Sequence, residues 1–150
     1  MRVAIGSDDR SALTDAVRDA LRERGHELLA FGAIESAAEP WPKVARDVGV
    51  AVAEGRADTG IVMCWTGTGV SIAANKVRGV RAALCADAQT AAGARRWNDA
   101  NVLALSMRAT AIPVALEVLD AWFETPPSDA DDDRSAVGDV EPNPAAAGLR

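Results

Sequence analysis

Met63-Cys64-Trp65-Thr66-Gly67-Thr68-Gly69-Val70-Ser71 is the stretch of this chain whose residue types are best suited to chemistry. A thiol ends an apolar run, and a Gly-rich turn opens the pattern that continues through Ile72-Ala73-Ala74-Asn75-Lys76. Turns of this kind aim several backbone N–H groups and a helix N-terminus at one point, which suits an anion or a developing oxyanion. The same field lowers a thiol's pKa, which would make Cys64 a nucleophile or a base. Read structurally instead, Cys64 is a small buried hydrophobe and the glycines only make the turn. Local sequence leaves both readings open.

Other uses of such a turn fail on their own requirements. Gly67-Thr68-Gly69 lacks the third glycine of a dinucleotide fingerprint, and no Gly-Lys-Ser/Thr follows as a nucleotide P-loop requires. Val70 stands where a cysteine phosphatase loop wants an arginine. The single histidine, His26, falls at a helix-to-strand turn and reads as an exposed surface residue, so no Cys–His pair is expected. Two further clusters are polar. Ser7-Asp8-Asp9 follows the first apolar run, where Asp8 also reads as the N-cap of the first helix. Arg95-Arg96-Trp97-Asn98-Asp99-Ala100-Asn101 precedes the last run, and its asparagines also read as turn residues. Trp41, Trp65, Trp97 and Trp122 read as core or interface bulk, with Trp65 placed to wall a pocket.

The elements that must position these residues follow from periodicity. Five short apolar runs, Arg2 to Ile5, Glu27 to Phe31, Thr59 to Met63, Arg81 to Leu84 and Val102 to Leu105, alternate with helical patterns. Arg10 to Arg24 places Leu13, Val17, Ala20 and Leu21 on one face; Val44, Val48, Ala51 and Val52 repeat the spacing, as does Ile112 to Phe123. Alternation of this kind predicts an α/β fold, a doubly wound, Rossmann-like five-stranded parallel sheet sandwiched between helices. Ligands then bind at the carboxyl ends of the strands. With 32 alanines among 150 residues, the core is built by close helix packing.

Composition narrows the partners. No apolar run reaches about 18 residues and the N-terminus lacks a signal-peptide pattern, so a cytoplasmic chain is expected. Two cysteines and one histidine provide no zinc cluster, and no metal is expected. A net charge of −6 works against a nucleic-acid or membrane surface, leaving a small molecule or a second copy of the chain. Residues 1–127 read as the folded domain. Residues 128–141 carry five Asp and one Glu against Arg134 alone, and read as an acidic segment with a short helix around Ala130 to Val137. Residues 142–150 read as a disordered tail.

Taken together, about residues 1 to 125 resemble the ribose-5-phosphate isomerase B family, which includes the galactose-6-phosphate isomerase subunits. The matching residues are Ile5-Gly6-Ser7-Asp8, Phe31-Gly32, Cys64 with Thr66-Gly67-Thr68-Gly69, Ser71-Ile72-Ala73-Ala74-Asn75-Lys76, Gly79-Val80-Arg81-Ala82, Asn98-Asp99-Ala100-Asn101-Val102-Leu103-Ala104 and Asp120-Ala121-Trp122. The resemblance implies cofactor-free aldose–ketose isomerisation through a cis-enediolate, in a homodimer or dimer of dimers with sites between subunits. Cys64 matches the family's base, and Thr66 the residue that moves the proton on oxygen. The N–H groups of Gly67, Thr68, Gly69 and Ser71 match the hole that holds the enediolate, and Asp8 and Asn98 match residues that hold substrate hydroxyls. Arg108 matches an arginine near the substrate phosphate.

The departures are specific. Asp9 and Trp97 line the implied site where the family has histidines, the second being the one that opens the sugar ring. Trp65 stands where the family has glycine. The family's Gly-Gly-Arg-His segment, which grips phosphate from the partner subunit, aligns with Asp129 to Arg134, leaving Arg134 to substitute among three aspartates that repel a dianion. These departures imply an altered substrate, with ordinary pentose-phosphate isomerisation through Arg108 and Arg134 as the less altered form. A sugar-binding or regulatory homologue without catalysis is the reading from another class.

Overall fold

Val3 and Ile5, Ile61 and Met63, and Leu103 and Leu105 pack with one group of helices, while Ala4, Val62, Cys64, Val102 and Ala104 between them pack with the other. Strands covered on both faces in this way belong to a parallel sheet under two helical layers. The computed structural model describes residues 1–141 and shows that arrangement; the tail expected at 142–150 lies outside them. The strands are β1 (Arg2–Ser7), β2 (Glu27–Gly32), β3 (Thr59–Cys64), β4 (Ala82–Leu84) and β5 (Val102–Ser106). They pair in parallel in the order β2-β1-β3-β5-β4, with Ser7 opposite Met63 and Cys64 opposite Ser106 at the carboxyl edge. This is the expected doubly wound α/β sandwich.

One layer holds α1 (Ala12–Glu23), α4 (Ala88–Asn98) and α5 (Ile112–Glu124); the other holds α2 (Trp41–Ala53) and α3 (Thr68–Ala74). The layers differ in side-chain size. Ile, Leu, Met and Trp122 fill the α1/α4/α5 side, whereas the smaller Ala and Val make up the α2 side, where Gly6 and Gly60 let that helix sit close to the sheet. A Cβ on Gly6 would lie 2.5 Å from Val44 Cγ1, and one on Gly60 2.8 Å from Val48 Cγ1. Both glycines are required by close approach, not by backbone conformation.

Several expectations are corrected. The cap of α1 is Ser11, which forms a capping box with Thr14; Asp8 caps nothing. Residues 88–98 form a helix, so Asn98 belongs to its last turn and is not a turn residue. The apolar stripe of α4 is made by Ala91 and Ala94 alone, too weak a pattern to stand out, and Asp87 caps it through Thr90 N. Asn101 does lie between elements and ties them, accepting from Arg81 N (2.8 Å) and donating to Gly79 O (2.8 Å). His26 is not freely exposed: its ring stacks on Phe123 at 4.4 Å between centroids, and its Nδ1 is buried without a partner. Of the tryptophans only Trp122 is core, at 2% exposure; Trp41, Trp65 and Trp97 are exposed. The acidic run Asp131-Asp132-Asp133 opens α6 (Asp131–Val140), where it complements the helix dipole. None of the described helices is long and apolar enough to cross a membrane.

Candidate active site

Cys64 closes β3 at the carboxyl edge of the sheet, and β5 fixes the backbone around it. Met107 N donates to Cys64 O (2.9 Å), and Arg108 N and Ser106 Oγ both donate to Trp65 O (2.9 Å each). Ser106 Oγ also accepts from Ala109 N at 3.0 Å, so one hydroxyl locks the loop after β5 to the turn after β3. Gly67 then adopts a left-handed conformation (φ 74°) as the N-cap of α3. Any Cβ there would lie 2.9 Å from the Leu105 carbonyl, so both the dihedral and the space demand glycine.

No side chain caps α3, which leaves its first N–H groups open at the turn. The hydroxyls of Thr66 and Thr68 meet at 2.7 Å beside it. Gly69, in the first turn of α3, lies beneath the ring of Trp41; a Cβ there would come within 3.1 Å of Trp41 Cε3. Ser71, half-buried, lies two residues beyond Gly69 on the same helix. Its carbonyl accepts from Asn75 Nδ2, and Asn75 pairs with both backbone groups of Ala82, anchoring α3 to β4. The thiol itself is 5% exposed and packs with Val62, Val70 and Ala74. Cys64 is thus a buried residue at the end of β3, three residues before the N-cap Gly67.

Beside the turn lies a cavity of about 220 Å³, lined among others by Thr66, Leu84, Cys85, Ser106, Arg108 and Thr110. It joins two expected residues, Thr66 and Arg108. Ser106, Thr110 and Cys85 were not among the candidates; their signal was position, each lying at or just past the carboxyl end of β5 or β4. Burial, with a smaller contribution from the charge of Asp87, pushes the Cys85 thiol up to about 12. Cys85 therefore stays protonated at neutral pH and is no rival base.

Asp8 follows β1 at the same edge. Its Oδ1 is buried without a partner, and burial, followed by the charge of Asp9, raises its pKa above the usual carboxylate value, against the lowering effect of backbone hydrogen bonds. Asp9 is exposed and its carboxylate accepts from Arg10 N at 2.8 Å. Ser7 Oγ reaches from the end of β1 to Asp9 O (2.7 Å) and lies 3.6 Å from Met107 Sδ, so the loops after β1 and β5 meet across the end of β3.

The remaining expected residues are elsewhere. Trp97 and Arg134 line a second cavity of about 230 Å³ between α4 and α6, together with Arg96, Asp99, Asp129 and Asp133. Asn98, exposed, is next to Trp97 at the end of α4. Arg134 is paired with Asp131. The helix α6 buries no residue and is held at its ends, by Ser128 N on Arg96 O (2.8 Å) and by Glu141. The Glu141 carboxylate accepts from Arg81 Nη1 (2.9 Å) and Gly79 N (3.3 Å). Arg108 and Arg134 therefore belong to different cavities of one chain, and only Cys64, Thr66, Thr68 and the N–H groups of α3 are assembled around one turn.

A family model described as Ribose/Galactose Isomerase matches residues 3–138. Ribose-5-phosphate isomerase B of Escherichia coli is 43% identical over 103 residues, which is 69% of this chain and 69% of that protein. D-erythrulose-4-phosphate isomerase of Pectobacterium atrosepticum is 35% identical over 126 residues, 83% of each. Among solved structures, ribose-5-phosphate isomerase B of Clostridium thermocellum superposes with a TM-score of 0.82 at 36% identity, covering 93% of this chain and 95% of that one.

Proposed function

The chain belongs to the ribose/galactose isomerase family of sugar-phosphate isomerases, and on that premise we propose that it interconverts an aldose and a ketose, as a pentose or hexose phosphate, through a cis-enediolate with Cys64 as the base. The observation that carries this reading is the conjunction at the end of β3. A thiol precedes by three residues the N-cap Gly67 of a helix that no side chain caps, and the hydroxyls of Thr66 and Thr68 meet on either side of that glycine. A thiolate at Cys64 takes the proton from the carbon next to the carbonyl and returns it to the neighbouring carbon. Thr66 moves the hydroxyl proton between the two oxygens. The enediolate bears negative charge that the substrate lacks, so fixed N–H donors of Gly67, Thr68 and Gly69 stabilise the intermediate more than the ground state, whereas Ser71 N already donates to Gly67 O at 3.2 Å. Asp8 accepts from a sugar hydroxyl, which supplies the partner its buried Oδ1 lacks within the fold.

A second copy completes the site in this reading. Trp97, Asn98 and Arg134 do not share the cavity of Thr66 and Arg108, and an assembly of two chains would bring one group against the other. The decisive experiment is turnover of free and phosphorylated aldoses and ketoses, followed by exchange of the C2 proton in D₂O. Cys64→Ala is expected to lower kcat by about a hundredfold or more, the usual worth of a general base. Binding with no exchange above that variant would leave a sugar-binding or regulatory homologue in place of an enzyme.

A further inference from the structure

An aldopentose or aldohexose in water is closed on itself, and the hemiacetal hides the carbonyl beside which a base must take its proton. Opening the ring moves one proton from the anomeric hydroxyl to the ring oxygen, which calls for a group able to accept that proton and return it. The single histidine is not placed to do so. His26 precedes β2 at the amino edge of the sheet, stacked on Phe123, and the six residues of that strand put about 20 Å between it and the carboxyl edge.

Three titratable groups at the carboxyl edge are already engaged or held protonated. Cys85 stays a thiol. Asp87 accepts from Thr90 N (2.7 Å) as the cap of α4, which lowers its pKa. Asp9 is exposed, with its carboxylate on Arg10 N (2.8 Å). Asp8 differs from all three. It is half-buried, and its Oδ1 and His26 Nδ1 are the two buried side-chain atoms without a hydrogen bond among the described residues. Strand register brings Asp8 to the turn at Cys64. Gly6 lies opposite Val62 and Ser7 opposite Met63, so Asp8 follows at the level of Cys64, on neighbouring strands that run about 5 Å apart. The bond from Ser7 Oγ to Asp9 O (2.7 Å) fixes the backbone on either side of it.

We propose that Asp8 is a second catalytic residue, the proton shuttle that opens the ring of the sugar before Cys64 acts. One carboxylate oxygen takes the proton of the anomeric hydroxyl, and the electron pair of that O–H bond forms the C1–O1 double bond. The bond between C1 and the ring oxygen breaks, leaving its pair on the ring oxygen, which then takes the proton from Asp8. The carboxylate is restored and nothing is consumed. Both sugar oxygens are bonded to one carbon, so the two acceptor oxygens of a single carboxylate can serve both. Burial raises the Asp8 pKa, which strengthens it as a base toward a hydroxyl. The assignment rests on the isomerase reading for its substrate, but ring opening can be read without isomerisation.

The experiment measures exchange between the α and β anomers of ribose 5-phosphate and of D-ribose by magnetisation-transfer NMR, since the anomers interconvert through the open chain. It uses the full chain as wild type, Cys64→Ala, Asp8→Asn and the double variant, with thermal unfolding to show that each is folded. Wild type and Cys64→Ala are expected to accelerate anomer exchange, and Asp8→Asn to lower the catalysed rate by about a hundredfold in either background. D-erythrose 4-phosphate, whose terminal oxygen carries the phosphate and cannot close a ring, should keep its kcat in Asp8→Asn. Anomer exchange unaltered by Asp8→Asn overturns the shuttle, while exchange of the C2 proton in D₂O still reports on isomerisation. Exchange at C2 by a wild type that does not accelerate anomer exchange also overturns it, because the open-chain form is then taken from solution. An equal fall of kcat on ribose 5-phosphate and D-erythrose 4-phosphate does the same, giving Asp8 a role common to both substrates. Anomer exchange that depends on Asp8, in a protein that exchanges no C2 proton, supports the shuttle and removes the isomerase reading.

Discussion

Asp8 and His26 each keep a buried polar atom without a partner among the described residues, and burial shifts their pKa values in opposite directions. Burial raises the Asp8 pKa, so its stabilisation is fully present below the usual carboxylate value and is lost as pH rises through the folded value. At pH 7 the ionised carboxylate is a cost to the fold. Asp8→Asn should therefore raise Tm at pH 7 by about 2 °C, with the gain vanishing near pH 3, while sugar affinity falls. A lower Tm for this variant at pH 7 would show the carboxylate to be structural. Burial, then the charges of the N-terminus and Arg24, hold His26 below its ordinary value. Its stabilisation is present above pH 6.5 and is lost as pH falls through the lower folded value, since the unfolded chain takes the proton first. His26→Phe keeps the stack on Phe123 and should flatten the fall of Tm between pH 6.5 and 5 by about 2 °C, read by thermal scans across that range. An unaltered acid limb would place the sensitivity elsewhere.

The turn from β3 into α3 is the element on which the proposed chemistry depends, and its conformation is set by Gly67. Alanine there meets a positive φ and the Leu105 carbonyl at once, so the turn must move or strain. Gly67→Ala is expected to cost about 2 kcal/mol in urea unfolding and to lower kcat by about tenfold or more through misplaced N–H groups. Retained kcat in a folded variant would mean that the N–H groups of α3 do not hold the intermediate. Helix α4 makes the complementary point. It ends at Asp99 in the left-handed region (φ 42°), with Arg81 Nη2 on its carboxylate at 3.0 Å, and this fixes Trp97 and Asn98 on an exposed end. Both stay exposed among the described residues, although Trp97 borders the cavity beside α6.

At the scale of the whole molecule, the matched residues divide between two places. The carboxyl edge holds Asp8, Cys64, Thr66 and Arg108, and the α4/α6 side holds Trp97, Asn98 and Arg134. If two copies share each site, mixing Cys64→Ala with Asn98→Ala subunits restores activity that neither has alone, to about a quarter of wild type when a random half of dimers each regain one intact site. Mixing without recovery would assign Asn98 to the site of its own chain. Sedimentation of the same samples gives the assembly state on which the outcome depends.

How much of this was legible beforehand depended on how local the signal is. The strands could be read to within two residues, because runs such as Thr59 to Met63 are buried on both faces and so apolar throughout. The Gly-rich turn was legible for the same reason: a thiol, a left-handed glycine and a helix start are neighbours in sequence. Helix α4 was not, since alanines spaced for a helix carry little hydrophobic contrast. The state of Asp8, the stacking of His26, the locking of the turn by Ser106 and the separation of Arg108 from Arg134 are set by contacts far apart in the chain. Sequence determined the fold class, the family and the residues that could react. Tertiary structure decided which charged groups face one another, because burial and partners belong to the packed layers and not to the order of residues along the chain.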